Sequence, residues 1–207
     1  MTAIPEEAFA DILKELQRQP LQINKYRNKC GVGRSQCFGV VNRRCLPADY
    51  SRQCWMRPYL YKLLLEFGEK YVPFSFTSIT VNDNYKAGKH RDKGNQGNSL
   101  LVAFGDYTGG ELEILEGGLK GTHDIRHNAV ITDFSKVYHQ VKEFAGERYS
   151  LVYYTIKTPT PLPPASVVLD NGKYYFKRGD EIITNGLPHP LKGRLKIVQQ
   201  DITISFT

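Results

Sequence analysis

The 207-residue chain is 41% hydrophobic and 24% charged, long enough to bury a substantial core as one catalytic domain. Its apolar runs stay short of the roughly 18 residues a membrane span needs, and no charged leader precedes an apolar stretch. These features set aside membrane and secreted classes in favour of a soluble intracellular protein, nuclear if eukaryotic. Twenty-eight Lys and Arg against 21 Asp and Glu leave a formal charge of +7, which suits a nucleic-acid partner through phosphate contacts and equally describes a merely basic soluble protein.

Pro5, Glu6 and Glu7 open a helical pattern in which Phe9, Ile12, Leu13 and Leu16 recur at helix spacing until Pro20 stops it. Residues 24–45 read as a glycine-punctuated basic loop. It carries Lys25, Arg27, Lys29, Arg34, Arg43 and Arg44 between Tyr26 and Phe38, so that cations can track phosphates while a ring stacks on a base. A solvated basic loop has the same composition. Its GVGRS lacks the G-K-[ST] ending of a phosphate-binding P-loop. The four cysteines, Cys30, Cys37, Cys45 and Cys54, form no C-x-x-C pair and read as reduced thiols, a structural zinc site being the alternative.

PYLYKLLLEFGEKY predicts a second helix, with Leu60, Leu63, Leu64 and Phe67 on its apolar face and Gly68 as its C-terminal stop. The periodicity then changes to that of strands. FSFTSITVNDNY, SLLVAFGDY, GELEIL, NAVITDF, VYHQVKEF and RYSLVYYTI are short β-branched or aromatic runs between turn residues. A proline-dense connector follows at 157–164, then VVLDNGKYYF with an Asn171-Gly172 hairpin signal, and RLKIVQQDITISF as further strand. Three parts result: 1–73 with helices and the basic loop, a β core at 74–156, and a β extension at 157–207. Six or more closely spaced strands after helices indicate an α+β, mainly β protein, a sandwich or open barrel with helices packed on one sheet.

Within GKHRDKGNQGN, His90 and Asp92 alternate so that imidazole and carboxylate can reach one ion. His139 in VYHQVKEF offers a third ligand, and Arg148 lies nine residues later. A turn at Ala145-Gly146 is expected to pair the strands of His139 and Arg148 with each other and bring both into one pocket. Two histidines and a carboxylate on one face of a metal are the facial triad of non-haem iron oxygenases, and a guanidinium grips a carboxylate bidentately. His123 and His127 are competing candidates for the third ligand, but neither has an arginine at the right offset followed by a small hydroxyl residue. His189 reads as a loop histidine.

The order His90-Arg91-Asp92, His139, Arg148-Tyr149-Ser150 resembles the Fe(II)/2-oxoglutarate-dependent dioxygenases, and the likeness spans residues 74 to 156. The resemblance implies a double-stranded β-helix (jelly-roll) core, with Fe(II) on His90, Asp92 and His139. It implies that Arg148 holds the 2-oxoglutarate C5 carboxylate, supported by Ser150, with Asn82 and Asn84 as polar co-substrate contacts. O2 is the co-reactant, ascorbate a supporting reductant, and succinate and CO2 the by-products. NDNYKAGKHRDKGNQGNSLLVAFGDYTGGELEI is most similar to the TET/J-binding-protein group, which implies oxidation of the methyl of 5-methylcytosine or thymine in nucleic acid, with DNA as the partner and Lys25, Arg27, Arg34, Arg43 and Arg44 on the phosphates. The chain departs from animal members of that group in lacking a cysteine-rich domain and a long insertion between Asp92 and His139. A prolyl or lysyl hydroxylase would share the chemistry, and a non-catalytic nucleic-acid-binding jelly roll would share the fold.

Overall fold

The computed structural model describes residues 1–23, 31–43, 46–157 and 162–184, with the backbone of 187–188. Lys25, Arg27, Arg44, His189 and the RLKIVQQDITISF segment lie outside the described residues, as do Cys30 and Cys45. The strands are β1 (Thr2–Ala3), β2 (Gly31–Arg43), β3 (Leu46–Tyr50), β4 (Ser78–Ala87), β5 (Ser99–Phe104), β6 (Tyr107–Gly109), β7 (Leu112–Ile114), β8 (Gly121–His123), β9 (Asn128–Thr132), β10 (His139–Val141), β11 (Phe144–Gly146), β12 (Tyr149–Tyr154), β13 (Ala165–Asp170), β14 (Lys173–Arg178), β15 (Glu181–Thr184) and β16 (Leu187–Pro188). The helices are α1 (Ala10–Arg18, led in by a 3-10 turn at Glu6–Phe9), α2 (Gln53–Met56) and α3 (Pro58–Tyr71).

A major sheet runs in the order β1-β9-β5-β12-β4-β2-β3, and a minor sheet in the order β10-β7-β8 faces it, extended by the β11-β6 pair. Strands β4, β5, β9 and β12 of the major sheet alternate along the chain with β7, β8, β10 and the His90 segment of the minor one. The His90 segment is reduced to a single antiparallel bridge with His139. This is a double-stranded β-helix. Its helices lie on the outer face of the major sheet, as the sequence pattern indicates.

Period-2 alternation divides each central strand between two environments. On β12, Tyr149, Leu151 and Tyr153 point toward the helices, where Tyr153 donates to the Leu64 carbonyl at 2.8 Å and Phe9 stacks on Phe104 at 4.9 Å. Ser150, Val152 and Tyr154 point the other way and line the space between the sheets.

Three expectations change. Residues 31–43 are not a loop but the longest strand, antiparallel to β4 from Gly31↔Ala87 to Gly39↔Ser78. The core therefore recruits β1, β2 and β3 from outside 74–156. Phe38 is fully buried against Tyr61 at 6.0 Å, so it is a core ring and not a stacking platform for a base. Gly68 does not stop α3, which continues to Tyr71. It sits inside the helix because a Cβ there would lie 2.4 Å from the Phe76 ring and 2.8 Å from that of Tyr153. Close packing, not a left-handed cap, requires this glycine.

The hairpin at Asn171-Gly172 forms as expected, both residues taking positive φ (47° and 76°) as a primed turn demands. Its strands build a separate four-stranded sheet, seated on α2 and α3 through Phe176 against Trp55 and Tyr61.

Candidate metal centre

His90, Asp92 and His139 converge between the sheets, their ligand atoms all within 4.8 Å of one another. The convergence begins in the backbone. His90 and His139 exchange both N–H···O bonds at 3.0 Å, which brings the two rings together with centroids 4.3 Å apart and planes tilted by 49°. The Asp92 amide donates to the Phe134 carbonyl at 3.0 Å, and Phe134, fully buried, packs its ring 4.6 Å from that of His139.

Each imidazole has its Nδ1 at a backbone carbonyl, His90 at Gly88 (2.7 Å) and His139 at Val137 (3.2 Å). A carbonyl only accepts, so Nδ1 carries the hydrogen and the Nε2 lone pair is left for a metal. Burial pushes His139 below the usual histidine range, against the opposing pull of Asp92, and so favours the neutral, ligating form. Asp92 Oδ1 lies 3.4 Å from His90 Nε2, while Oδ2 lies 3.5 Å from the Asn95 amide. Two imidazoles and one carboxylate, grouped on one side of an open cavity, suit Fe(II).

The cavity measures about 410 Å³, within the roughly 300–1,000 Å³ of small-molecule sites. Leu101, Leu112, Val141, Val152 and Ile156 give it apolar walls. Arg148 also lines it, 1% exposed, with Nε donating to the Gly110 carbonyl at 3.2 Å and Nη2 without a hydrogen-bond partner in the protein. Burial lowers the pKa of this guanidinium, partly offset by Tyr107 and Glu111. Its plane is flanked by the Tyr107 and Phe144 rings, each 5.4 Å away. A buried guanidinium nitrogen without a partner is costly, and an anionic group in the cavity would complete it. Beside it, Asn82 Nδ2 donates to Ser150 Oγ at 3.0 Å, which leaves the serine its own O–H to donate into the cavity. The Asn82 Oδ1 is likewise buried and unpaired.

His139 and Arg148 share this cavity, but not by the expected route. Their strands do not pair: β10 bonds to β7 in the minor sheet, whereas β12, which begins one residue after Arg148, bonds to β4 and β5 in the major one. The Phe144–Gly146 segment pairs with β6 instead of forming a hairpin turn. The two residues therefore face each other from opposite sheets.

Asn84 is not part of the lining. It is exposed at φ 48°, and its Oδ1 accepts the Arg148 backbone N–H at 2.8 Å, bracing the arginine from behind. His123 and His127 also lie elsewhere: His123 Nε2 meets the Leu119 carbonyl, and His127 stacks on Phe9 at 5.2 Å. Arg34 pairs with Asp83 at 3.1 Å, opposite in register and on the helix side of the sheet. Arg43 pairs with Asp49 at 3.3 Å, next to the cavity-lining Asn42. Lys93 is exposed and lines the cavity beside the triad. Of the described cysteines, Cys37 lines the cavity and Cys54 is buried, its thiol pushed up to about 12 by burial; both are free.

Sequence reasoning missed two contributors. Gly110 takes φ 74° and leaves room that a Cβ would fill at 2.7 Å from Arg148 Nε. Glu116, in an unremarkable EILEGG run, ties together the two segments that carry the triad.

No protein-family model and no curated protein matches the chain. Among solved structures it is similar to NgTET1 in complex with 5mC DNA, with a TM-score of 0.51 and 16% identity over 74% of this chain and 69% of that one. The chain shares the fold of that protein. Two more distant matches are a 2OG-Fe(II) oxygenase family oxidoreductase from Burkholderia pseudomallei (TM-score 0.47, 19% identity, 69% of this chain and 74% of that one) and a Pseudomonas putida prolyl-4-hydroxylase (TM-score 0.46, 14% identity, 74% and 89%). At these identities the likeness is one of fold. Among the described residues, no helix is long and apolar enough to cross a membrane.

Proposed function

We propose that the chain is an Fe(II)/2-oxoglutarate-dependent dioxygenase that oxidises the methyl group of a 5-methylpyrimidine in nucleic acid. One observation carries the reaction class: a His90/Asp92/His139 cluster and a buried, half-satisfied Arg148 line a single cavity. His90, Asp92 and His139 would hold the iron. Arg148 would pair with the distal carboxylate of 2-oxoglutarate, with the Ser150 hydroxyl donating to the same group and Asn82 orienting that hydroxyl. When bound, iron and 2-oxoglutarate with O2 supply the oxidation and release succinate and CO2. The protein's part is to present neutral imidazoles, to hold the co-substrate by its far end, and to give the target carbon an apolar, water-poor wall of Leu101, Leu112, Val141 and Val152.

The substrate reading rests on three supports: the +7 charge, the motif texture from Asn82 to Ile114, and the similarity to a protein solved with 5mC DNA. The target base would leave the stack to enter the cavity. Lys93 places positive charge at the cavity, where flanking phosphates would run, while Arg43, met by Asp49, and Arg34, held by Asp83 on the far face, would contribute little.

The test is mass spectrometry of nucleosides from 5-methylcytosine-containing DNA incubated with the protein, Fe(II), 2-oxoglutarate and ascorbate, with His139→Ala as control. The reading expects 5-hydroxymethylcytosine, or 5-hydroxymethyluracil from thymine, only with the unaltered protein. Succinate without any altered base, together with hydroxylation of prolyl or lysyl peptides, would replace the nucleic-acid substrate with a protein one.

A further inference from the structure

Glu116 lies outside the triad, yet one of its oxygens joins both halves of it. Arg91, the residue between His90 and Asp92, donates to Glu116 Oε1 from Nε at 3.0 Å and from Nη2 at 2.7 Å. The same oxygen accepts the backbone N–H of Tyr138, the residue before His139, at 2.6 Å. The Tyr138 carbonyl in turn accepts from the Leu115 amide at 2.8 Å, so the peptide leading into His139 is held from both ends by the strand end that carries Glu116. The Tyr138 ring completes the clasp, with the Arg91 guanidinium 4.2 Å and the Lys89 ammonium 4.9 Å from its centroid. Arg91 holds the Glu116 carboxyl below the usual carboxylate range, with the Tyr138 amide adding to the effect.

We infer that Glu116 is a positioning residue for the metal centre, fixing the separation of the His90-Asp92 segment from His139 through Arg91 and the Tyr138 amide. The inference rests on the reading of the triad as a metal site. Between His90 and His139 the backbone link is one two-residue bridge, too short by itself to fix both segments rigidly. Charge-assisted contacts from a shared carboxylate supply the missing constraint without touching the metal. Arg91 cannot be replaced by Lys on equal terms, because only the guanidinium sets two nitrogens on Glu116 Oε1 while its carbon sits over the Tyr138 ring.

The test measures the affinity of the metal-free protein for Co(II), followed by its absorption bands, and for Fe(II) under anaerobic conditions. It compares the unaltered chain with Glu116→Ala, Glu116→Gln and Arg91→Lys, and records melting of each metal-free protein. Glu116→Ala is expected to weaken metal binding about tenfold, with altered Co(II) bands and little change in metal-free melting. Glu116→Gln, which keeps an acceptor oxygen, should fall between, and Arg91→Lys should weaken binding independently if the alanine variant folds poorly. Affinities within twofold of the unaltered chain in Glu116→Ala and Arg91→Lys would overturn the positioning role while leaving the metal site standing. An unaltered chain that binds neither ion would remove the metal reading and this inference together.

Discussion

The two faces of the major sheet are built from the same strands and follow opposite rules. On the helix side, Phe9, Phe38, Tyr61, Phe67, Leu151 and Tyr153 are almost wholly buried and pack ring against ring, as in Phe67 on Tyr153 at 5.9 Å. On the cavity side, Arg148 and Ser150 are just as enclosed and Asn82 is half-buried, yet Arg148 Nη2 and Asn82 Oδ1 have no partner in the protein. Unpaired buried polar atoms cost stability; on the cavity side a ligand would complete them, whereas Tyr61 Oη and Arg57 Nε and Nη1 on the helix side are out of reach of one. Alternation with a period of two lets one strand stabilise the fold with odd residues and serve the site with even ones.

Substitutions should therefore separate the faces. The largest effect belongs to the triad: His90→Ala, Asp92→Ala or His139→Ala should lose metal and bring 2-oxoglutarate turnover to background, measured as succinate released. Near-normal turnover in any of these would strike that residue from the ligand set. Arg148→Ala should retain metal but raise the 2-oxoglutarate concentration needed by about one to two orders of magnitude, the worth of a charged hydrogen-bonded pair. A titration of succinate formation against 2-oxoglutarate measures this, and an unchanged half-saturation point would move the carboxylate site elsewhere.

Neighbouring residues on β12 provide the sharpest contrast. Leu151→Ala should cost about 2–5 kcal/mol of stability in denaturant unfolding and leave 2-oxoglutarate affinity alone. Ser150→Ala should do the reverse, with a shift of about 1 kcal/mol in co-substrate binding and little change in unfolding. Equal losses in both measurements for both variants would dissolve the distinction between faces. The smallest effect is expected from neutralising Arg34 and Arg43, whose charges already meet Asp83 and Asp49. The salt dependence of DNA binding should flatten by less than the roughly two-ion change that free phosphate contacts would give, and a full two-ion change would return both residues to the interface.

The residues themselves made much of this visible. The strands were legible from their alternation, and H-x-D with a distant histidine named three candidate ligands that the structure brings together. Longer-range consequences were hidden. Gly68 reads as a helix stop because local sequence cannot show that Phe76 and Tyr153 occupy the space of its missing Cβ. The basic composition of residues 31–43 hides a strand whose inward residues, Phe38 and Val40, are too few to dominate the pattern. His139 and Arg148, close in sequence, suggest a hairpin, whereas the chain crosses from one sheet to the other between them. Glu116 shows no local signal at all, since its partners lie 25 and 22 residues away.

The most direct measurement is succinate formation from 2-oxoglutarate by the purified chain with Fe(II) in air, beside His139→Ala. Iron-dependent succinate from the unaltered chain, absent from the variant, is the predicted result. Equal succinate from both, or none from the unaltered chain despite correct folding, would contradict the assignment of this cavity to iron and 2-oxoglutarate.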